Sequence, residues 1–527
     1  MPPRLRLRSA LVLCLLLPTG AAAQTRAQRR TAPAFDVVET TIARVHEAMR
    51  AHRLTARALV QAYLDRIAAY DKQGPALNAI ILVNPDALRV ADSLDAEYAR
   101  TGRFAGPLHG IPVIVKDNFE TRGLQTTAGS LSLAGYVPER DAYQVRRLRE
   151  AGAIVLAKSN MAEFAFSPYE TVGSMLPGYT RNPYATNRVT AGSSGGTAAA
   201  VAASFGVFGL GSDTGNSIRG PSAHQALVGI RSTMGLTSRA GIVPLYLGRD
   251  VGGPMARSVA DAAAVLDVVA GSDPADPATA EAARHIPREG YAAHLRRDGL
   301  AGKRIGVVRQ LSDSTADPEV IRRFDEALAV LRREGATVVD SVRIVELDTI
   351  HGATVCASFK PDIDAFLAAR PGAPVHSLAE IIASNRFHPT IAGRLRSYAE
   401  FQGTPETNPV CQEAARNEAR LRDGVRRVLA ERRLDALVYP TWDNPPRLIG
   451  DLNTPDGNNS WQLSPPTGFP ALTVPMGWVH GGALPAGLQI LGDAWSEPRL
   501  IEIAYAFEQA TRFRRPPAST PALDRAL

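Results

Sequence analysis

Two glycine-punctuated turns and one lysine are the parts of this sequence best suited to chemistry. Residues 191–221 open with Gly192-Ser193-Ser194-Gly195-Gly196, pass through a run of small residues, and end in Asp213-Thr214-Gly215-Asn216-Ser217-Ile218-Arg219-Gly220. Turns so free of bulk let backbone N–H groups converge on one point, which suits an oxyanion hole or a phosphate cradle. The phosphate reading is the weaker, because neither G-x-x-x-x-G-K-[ST] nor G-x-G-x-x-G is present. Most serine-glycine turns are plain loops, and Lys116 sets this one apart. It closes the apolar run 110–115, precedes Asp117-Asn118, and is one of five lysines among 59 basic residues. A lysine ending a buried strand loses solvation, which lowers its pKa toward a neutral amine able to accept a proton. The ordinary alternative is a lysine reaching out to solvent. Lys158 closes the apolar run 153–157 but has no serine-glycine turn following closely, and is read as structural.

These residues lie within GIPVIVKDN at 110–118, AGSSGGTAAAVAA at 191–203 and GSDTGNSIRGPSA at 211–223, accompanied by AKSNMAEFA at 157–165 and GLQILG at 487–492. In that order the stretches resemble the amidase signature hydrolases, over about residues 37–513. The resemblance implies an α/β fold with one large twisted mixed sheet enclosed by helices, and hydrolysis of amide C–N bonds with no cofactor and no metal. It makes Ser217 the nucleophile, Ser193, with an unusual cis peptide, the bridging serine, and Lys116 the base. A neutral Lys116 would take a proton from Ser193, which would take one from Ser217. The N–H groups of Thr214, Gly215, Asn216 and Ser217 would face the developing oxyanion, and water would hydrolyse the acyl-enzyme. One departure stands out: the family usually has glycine where Asn216 stands. Asparagine tolerates positive φ, so the turn is expected to survive. Asp213 and Arg219 also match and are read as a structural pair holding the turn. The same triad would serve an esterase or a carbamate hydrolase, and the glutaminase subunit of transfer-RNA amidotransferases is the rival within the family.

Other classes fit less well. Gly192-x-Ser194-x-Gly196 spells the nucleophile elbow of α/β-hydrolases, with His224, His376 and His388 downstream, but that elbow must follow a strand and RNPYATNRVTA at 181–191 is turn chemistry. Metal catalysis finds neither H-E-x-x-H nor C-x-x-C, and the ten histidines are scattered. A binding protein without catalysis would not need Lys116, Ser193 and Ser217 together.

The elements that must position these residues alternate between β-like and helical runs. Strands are expected over 79–83, 111–115, 154–156, 304–308, 434–439, 471–475 and 488–491. Helices are expected from about Val37, from an N-cap at Thr55, and over 143–151, 259–270, 318–335 and 497–511. The alternation argues an α/β architecture with a substantially parallel, buried sheet. Residues 273–433 read as a more helical, variable region, either an elaboration of the same domain or a second one split off near Asp273. Residues 514–527 form a C-terminal tail.

With 527 residues, 45% hydrophobic and 21% charged, the composition is that of a globular protein. The formal charge is +7, but basic and acidic residues are interspersed, so no nucleic-acid tract is marked. Arg4, Arg6 and Arg8, then an apolar run, then Ala21-Ala22-Ala23 read as a signal peptide over 1–23, followed by a loose segment over 24–36. A periplasmic or secreted location follows. No later stretch approaches the roughly 20 apolar residues of a membrane helix, so no stable membrane insertion of the mature chain is expected. The partner expected is a small-molecule amide. Cys356 and Cys411 remain after signal removal; an oxidising compartment would let them pair, with Cys411 in the loop-like 403–411 that a tether would hold, and two separately buried thiols are the alternative.

Overall fold

Lys116 ends β2 (Pro112–Lys116), a strand buried along its whole length. Its neighbours β3 (Ile154–Ser159) and β4 (Phe208–Asp213) run parallel to it. Their C-terminal ends therefore share one edge, with Lys116 opposite Ser159 and Val115 opposite Leu210, one step before the Gly211-Ser212 segment. The helix Gly195–Ala202 packs on β2 and β4 and is wholly buried. Its approach demands small residues: a Cβ on Gly196 would collide with the Asn160 backbone, and one on Gly209 in β4 with the Thr197 methyl.

The computed structural model describes residues 1, 3, 35–312, 315–350 and 355–523. Among them eleven strands form one mixed sheet. The remaining strands are β1 (Ile80–Val83), β5 (Val228–Arg231), β6 (Val251–Ala256), β7 (Arg304–Val307), β8 (Thr337–Val339), β9 (Ala436–Pro440), β10 (Ala471–Val479) and β11 (Leu484–Leu491). The spatial order is β1-β3-β2-β4-β6-β5-β10-β11-β9-β7-β8. The substantially parallel sheet expected from the alternation is corrected: parallel pairing is confined to β2 with β3 and β4, and to β7 with β8 and β9. The middle, from β4 through β6, β5, β10 and β11 to β9, is antiparallel. Helices Val259–Val269, Pro318–Arg333 and Glu497–Thr511 cover the sheet.

Thr55 caps the helix Ala56–Tyr70 by accepting from the Ala58 N–H. The first helix begins at Ile42 rather than near Val37, because the Thr41 hydroxyl caps it and residues 37–40 form a turn. Phe35–Leu527 forms one compact unit with no division near Asp273, and β7 and β8 join the main sheet. Cys356 and Cys411 are bonded. Cys411 lies in the first turn of the helix Pro409–Glu431 rather than in a loop, with Asn408 as its cap. The C-terminal segment is anchored: Arg66 donates to the carbonyls of Thr520 and Pro521 at 2.8 and 2.7 Å. Residues 4–34, with nearly all of the expected signal peptide and the loose segment, lie outside the described residues. Among the described residues no helix is long and apolar enough to cross a membrane.

Candidate active site

At the shared strand edge, Lys116 Nζ lies 2.7 Å from Ser193 Oγ, 2.9 Å from Ser212 Oγ and 3.3 Å from the Ser212 carbonyl. Lys116 and Ser193 are fully buried. Burial pushes the Lys116 amine down to about 7, against the Asp213 and Asp250 carboxylates, which favour its charged form. A neutral amine has two N–H donors and one lone pair; two donors pointed at Ser212 leave the lone pair for the Ser193 hydroxyl. Asn118 Nδ2 also donates to Ser212 Oγ at 2.9 Å. Ser212 and Asn118 thus belong to the site although sequence reasoning assigned them no role, and their signal was their place inside the GSDTGNS and KDN stretches.

Ser193 follows a cis peptide bond from Gly192. Its carbonyl accepts from the Ala162 N–H at 3.1 Å, and the Gly192 N–H donates to the Pro168 carbonyl at 2.8 Å. After β4 the chain turns through residues 214–217 into the short helix Arg219–Ala223. Asp213 fastens this turn. It pairs with Arg219 at 3.0 Å and with Arg231 at 3.2 Å, all three side chains being fully buried, and accepts from the Ile218 N–H at 3.1 Å. Burial alone would raise the Asp213 pKa, but the two guanidinium groups hold it below the usual carboxylate range. Arg219 also donates to the Gly215 carbonyl at 3.0 Å. The expected structural pair is therefore a triad with Arg231. Among the described residues no protein acceptor takes the N–H groups of Gly215, Asn216 or Ser217.

Neither Gly215 nor Asn216 has a positive φ, so Asn216 is not there for its tolerance of that region. Its side chain instead crosses to the Ser193 segment, where Nδ2 donates to the Gly192 carbonyl at 2.7 Å. Asp250, also unforeseen, accepts from the Thr214 hydroxyl and from the Leu245 and Tyr246 N–H groups at 2.8 and 3.1 Å. Burial lifts its pKa to about 6. Above the turn opens a cavity of about 350 Å³ that Thr214, Gly215, Asn216 and Ser217 line, walled by Phe166, Tyr169, Tyr246, Tyr398 and Trp461. Of Lys116, Ser193 and Ser217, only Ser217 reaches it.

Lys158 is buried against the Phe119 carbonyl at 2.9 Å, the Thr126 hydroxyl at 2.8 Å and Asp117 at 3.3 Å, a structural tie away from both serine turns. The nucleophile-elbow alternative fails on geometry. Ser194 begins a helix without a strand before it and donates to the Ser212 carbonyl at 3.1 Å. His224 packs on Trp442 and contacts the Asn444 carbonyl, His376 is exposed, and His388 contacts Thr390. Among the described residues no cluster of three or more metal-ligating side chains is present.

The Amidase family model matches residues 58–501. Among solved structures, the native peptide amidase from Stenotrophomonas maltophilia is 41% identical, with a TM-score of 0.82, over 92% of this chain and 99% of that one. A curated relative from Arabidopsis thaliana, named "Probable amidase", is 37% identical over 95% of each chain. A glutamyl-tRNA(Gln) amidotransferase subunit from Acidothermus cellulolyticus is 34% identical over 91% of this chain and 96% of its own. The large mixed sheet flanked by helices is the fold of that solved peptide amidase. By sequence match and fold alike, this chain belongs to the amidase signature family and is a hydrolase of amide C–N bonds.

Proposed function

We propose that the chain cleaves amides by transferring the acyl group to Ser217, with Ser193 and Lys116 as its proton relay. One observation carries this reading: a desolvated lysine amine 2.7 Å from a buried serine hydroxyl, beneath a cavity that Ser217 alone of the three reaches. Lys116 accepts the Ser193 proton as Ser193 accepts that of Ser217, and Ser217 Oγ bonds to the substrate carbonyl carbon. The N–H groups of the 214–217 turn take the oxyanion; one such donor is worth about 2.7 to 4 kcal/mol. The relayed proton returns to the leaving nitrogen, the C–N bond breaks, and water then hydrolyses the ester to acid and free Ser217.

The aromatic walls favour a substrate whose acyl part is apolar or aromatic, and the likeness to a peptide amidase supports the C-terminal amide of a short peptide as the substrate class. Ammonia release from an N-acyl phenylalaninamide, compared with glutamine and with a p-nitrophenyl ester, tests both points. The peptide amide should be the best substrate, and Ser217→Ala should abolish its turnover; turnover by Ser217→Ala within tenfold of wild type would reject the assignment. We further propose that the chain is exported by its N-terminal 23 residues, a reading that the Cys356–Cys411 bond supports because such bonds persist in oxidising compartments. N-terminal sequencing of the protein from the periplasmic fraction should read from Gln24; an intact Met1 confined to the cytosol would refute it.

A further inference from the structure

The departure at Asn216 has a physical use. Its carboxamide is gripped on both sides: Nδ2 donates to the Gly192 carbonyl at 2.7 Å and to the Pro168 carbonyl at 3.2 Å, while Trp442 Nε1 donates to Oδ1 at 3.2 Å. Asn216 is buried, and so is Trp442, which packs against Ala191 and Ala223. The Gly192 carbonyl belongs to the peptide bond whose nitrogen is that of Ser193. Space for the carboxamide comes from Gly220, where a Cβ would collide with Asn216 Oδ1.

We propose that the Asn216 side chain is a positioning residue that locks the Ser193 peptide to the Ser217 turn, with Trp442 orienting the amide and Gly220 making room for it. This rests on the proton relay proposed above. A glycine at 216 would supply the same backbone N–H but would leave the Gly192 carbonyl, and so the Ser193 hydroxyl, held from one side fewer. Pro168 lies between Phe166 and Tyr169 of the cavity wall, so the same amide also fixes the wall to the floor. The clamp acts on geometry between catalytic groups, where displacement by about 1 Å can cost about 100-fold in rate. Its signature is therefore a loss in kcat with KM nearly kept.

A double-mutant cycle tests it. Kinetics on the peptide amide would be measured for Asn216→Gly, Gly220→Ala, the double variant and Trp442→Phe, with thermal unfolding of each. Asn216→Gly should lower kcat by about 10- to 100-fold and change KM by less than about threefold. Gly220→Ala should do much the same, because the added methyl displaces the Asn216 amide, the flexible end of that contact. In the double variant the second change should add less than about twofold, since the displaced group is already gone. Trp442→Phe, which keeps an aromatic ring but removes the indole donor, should lose about three- to tenfold in kcat. Turnover by Asn216→Gly within twofold of wild type, or losses that multiply in the double variant, would overturn the clamp. Should a Gly220 variant fail to fold, Asn216→Gly and Trp442→Phe decide. Near-wild-type turnover by Ser217→Ala would instead defeat the relay, and the clamp with it.

Discussion

Raising the pH should switch the enzyme on through Lys116. Burial brings its amine down from 10.5 to about 7, and the Asp213 and Asp250 carboxylates oppose the shift only in part. A base must be neutral to act, so kcat/KM should climb about tenfold per pH unit below the midpoint and lie about 100-fold under its plateau two units below it. The same shift has a consequence for stability. Between about 7 and 10.5 the native amine is neutral while the unfolded chain still binds the proton, so stability at this position rises with pH across that window. Below about 7 both states are charged and the full cost of the buried ammonium is present. Lys116→Met should therefore remove activity yet raise the urea midpoint, by more at the acidic side of this window than near its alkaline end. The assays are a pH-rate profile on the peptide amide and paired urea titrations. A profile flat across neutrality, or a midpoint near that of a solvated lysine, would show that Lys116 is not a desolvated base.

The hydroxyl of Ser212 accepts from both Lys116 and Asn118, so Ser212→Ala strands two buried donors, at about 1–3 kcal/mol each. Its kcat should fall by about 10- to 100-fold, and its pH midpoint should move down because the charged amine loses an acceptor; an unchanged profile would reject that role. Opening the Cys356–Cys411 bond, which closes a 55-residue separation, should cost about 4 kcal/mol on the chain-entropy estimate, read from urea unfolding of Cys411→Ser. Thiol counting on the unfolded, unreduced protein lacking residues 1–23, and with them Cys14, should find neither remaining cysteine free, and two titratable thiols would contradict it.

The strands built on apolar runs are far easier to read in the sequence than those rich in glycine. Strands such as β2 and β10 carry apolar runs that declare a buried strand, and Thr55 is a cap in plain view, whereas the cap at Asn408 lies in a stretch that reads as a loop. The strands β4, FGLGSD, and β6, VGGPMA, are not among those expected from the sequence, although the turn that carries Ser217 hangs from the first of them. Their glycines serve close packing, Gly209 under Thr197 and Gly253 beside the Ile230 carbonyl, and so suppress the β-branched signal that marks a strand. β8 is a three-residue strand, too short to stand out. At the site, Lys116 stands out as a rare lysine closing an apolar run, while the roles expected of Ser193 and Ser217 come from the family resemblance that their two small-residue turns carry. Ser212, Asp250, Arg231 and Trp442 do not stand out, since their roles depend on partners from 18 to more than 200 residues away in sequence. Asn216 departs from the family pattern in the sequence, but nothing there shows its use: its backbone φ is not positive, and its side chain does the bridging.

In the proposed reaction the acyl group passes through Ser217. Rapid acid quenching of the enzyme with a slowly deacylating p-nitrophenyl ester, followed by peptide mass spectrometry, locates the adduct directly. The proposed mechanism predicts one acyl group per chain on Ser217, absent in Ser217→Ala and strongly slowed in Lys116→Ala and Ser193→Ala. An adduct on Ser193 or Ser194, or undiminished labelling of Ser217→Ala, would contradict it.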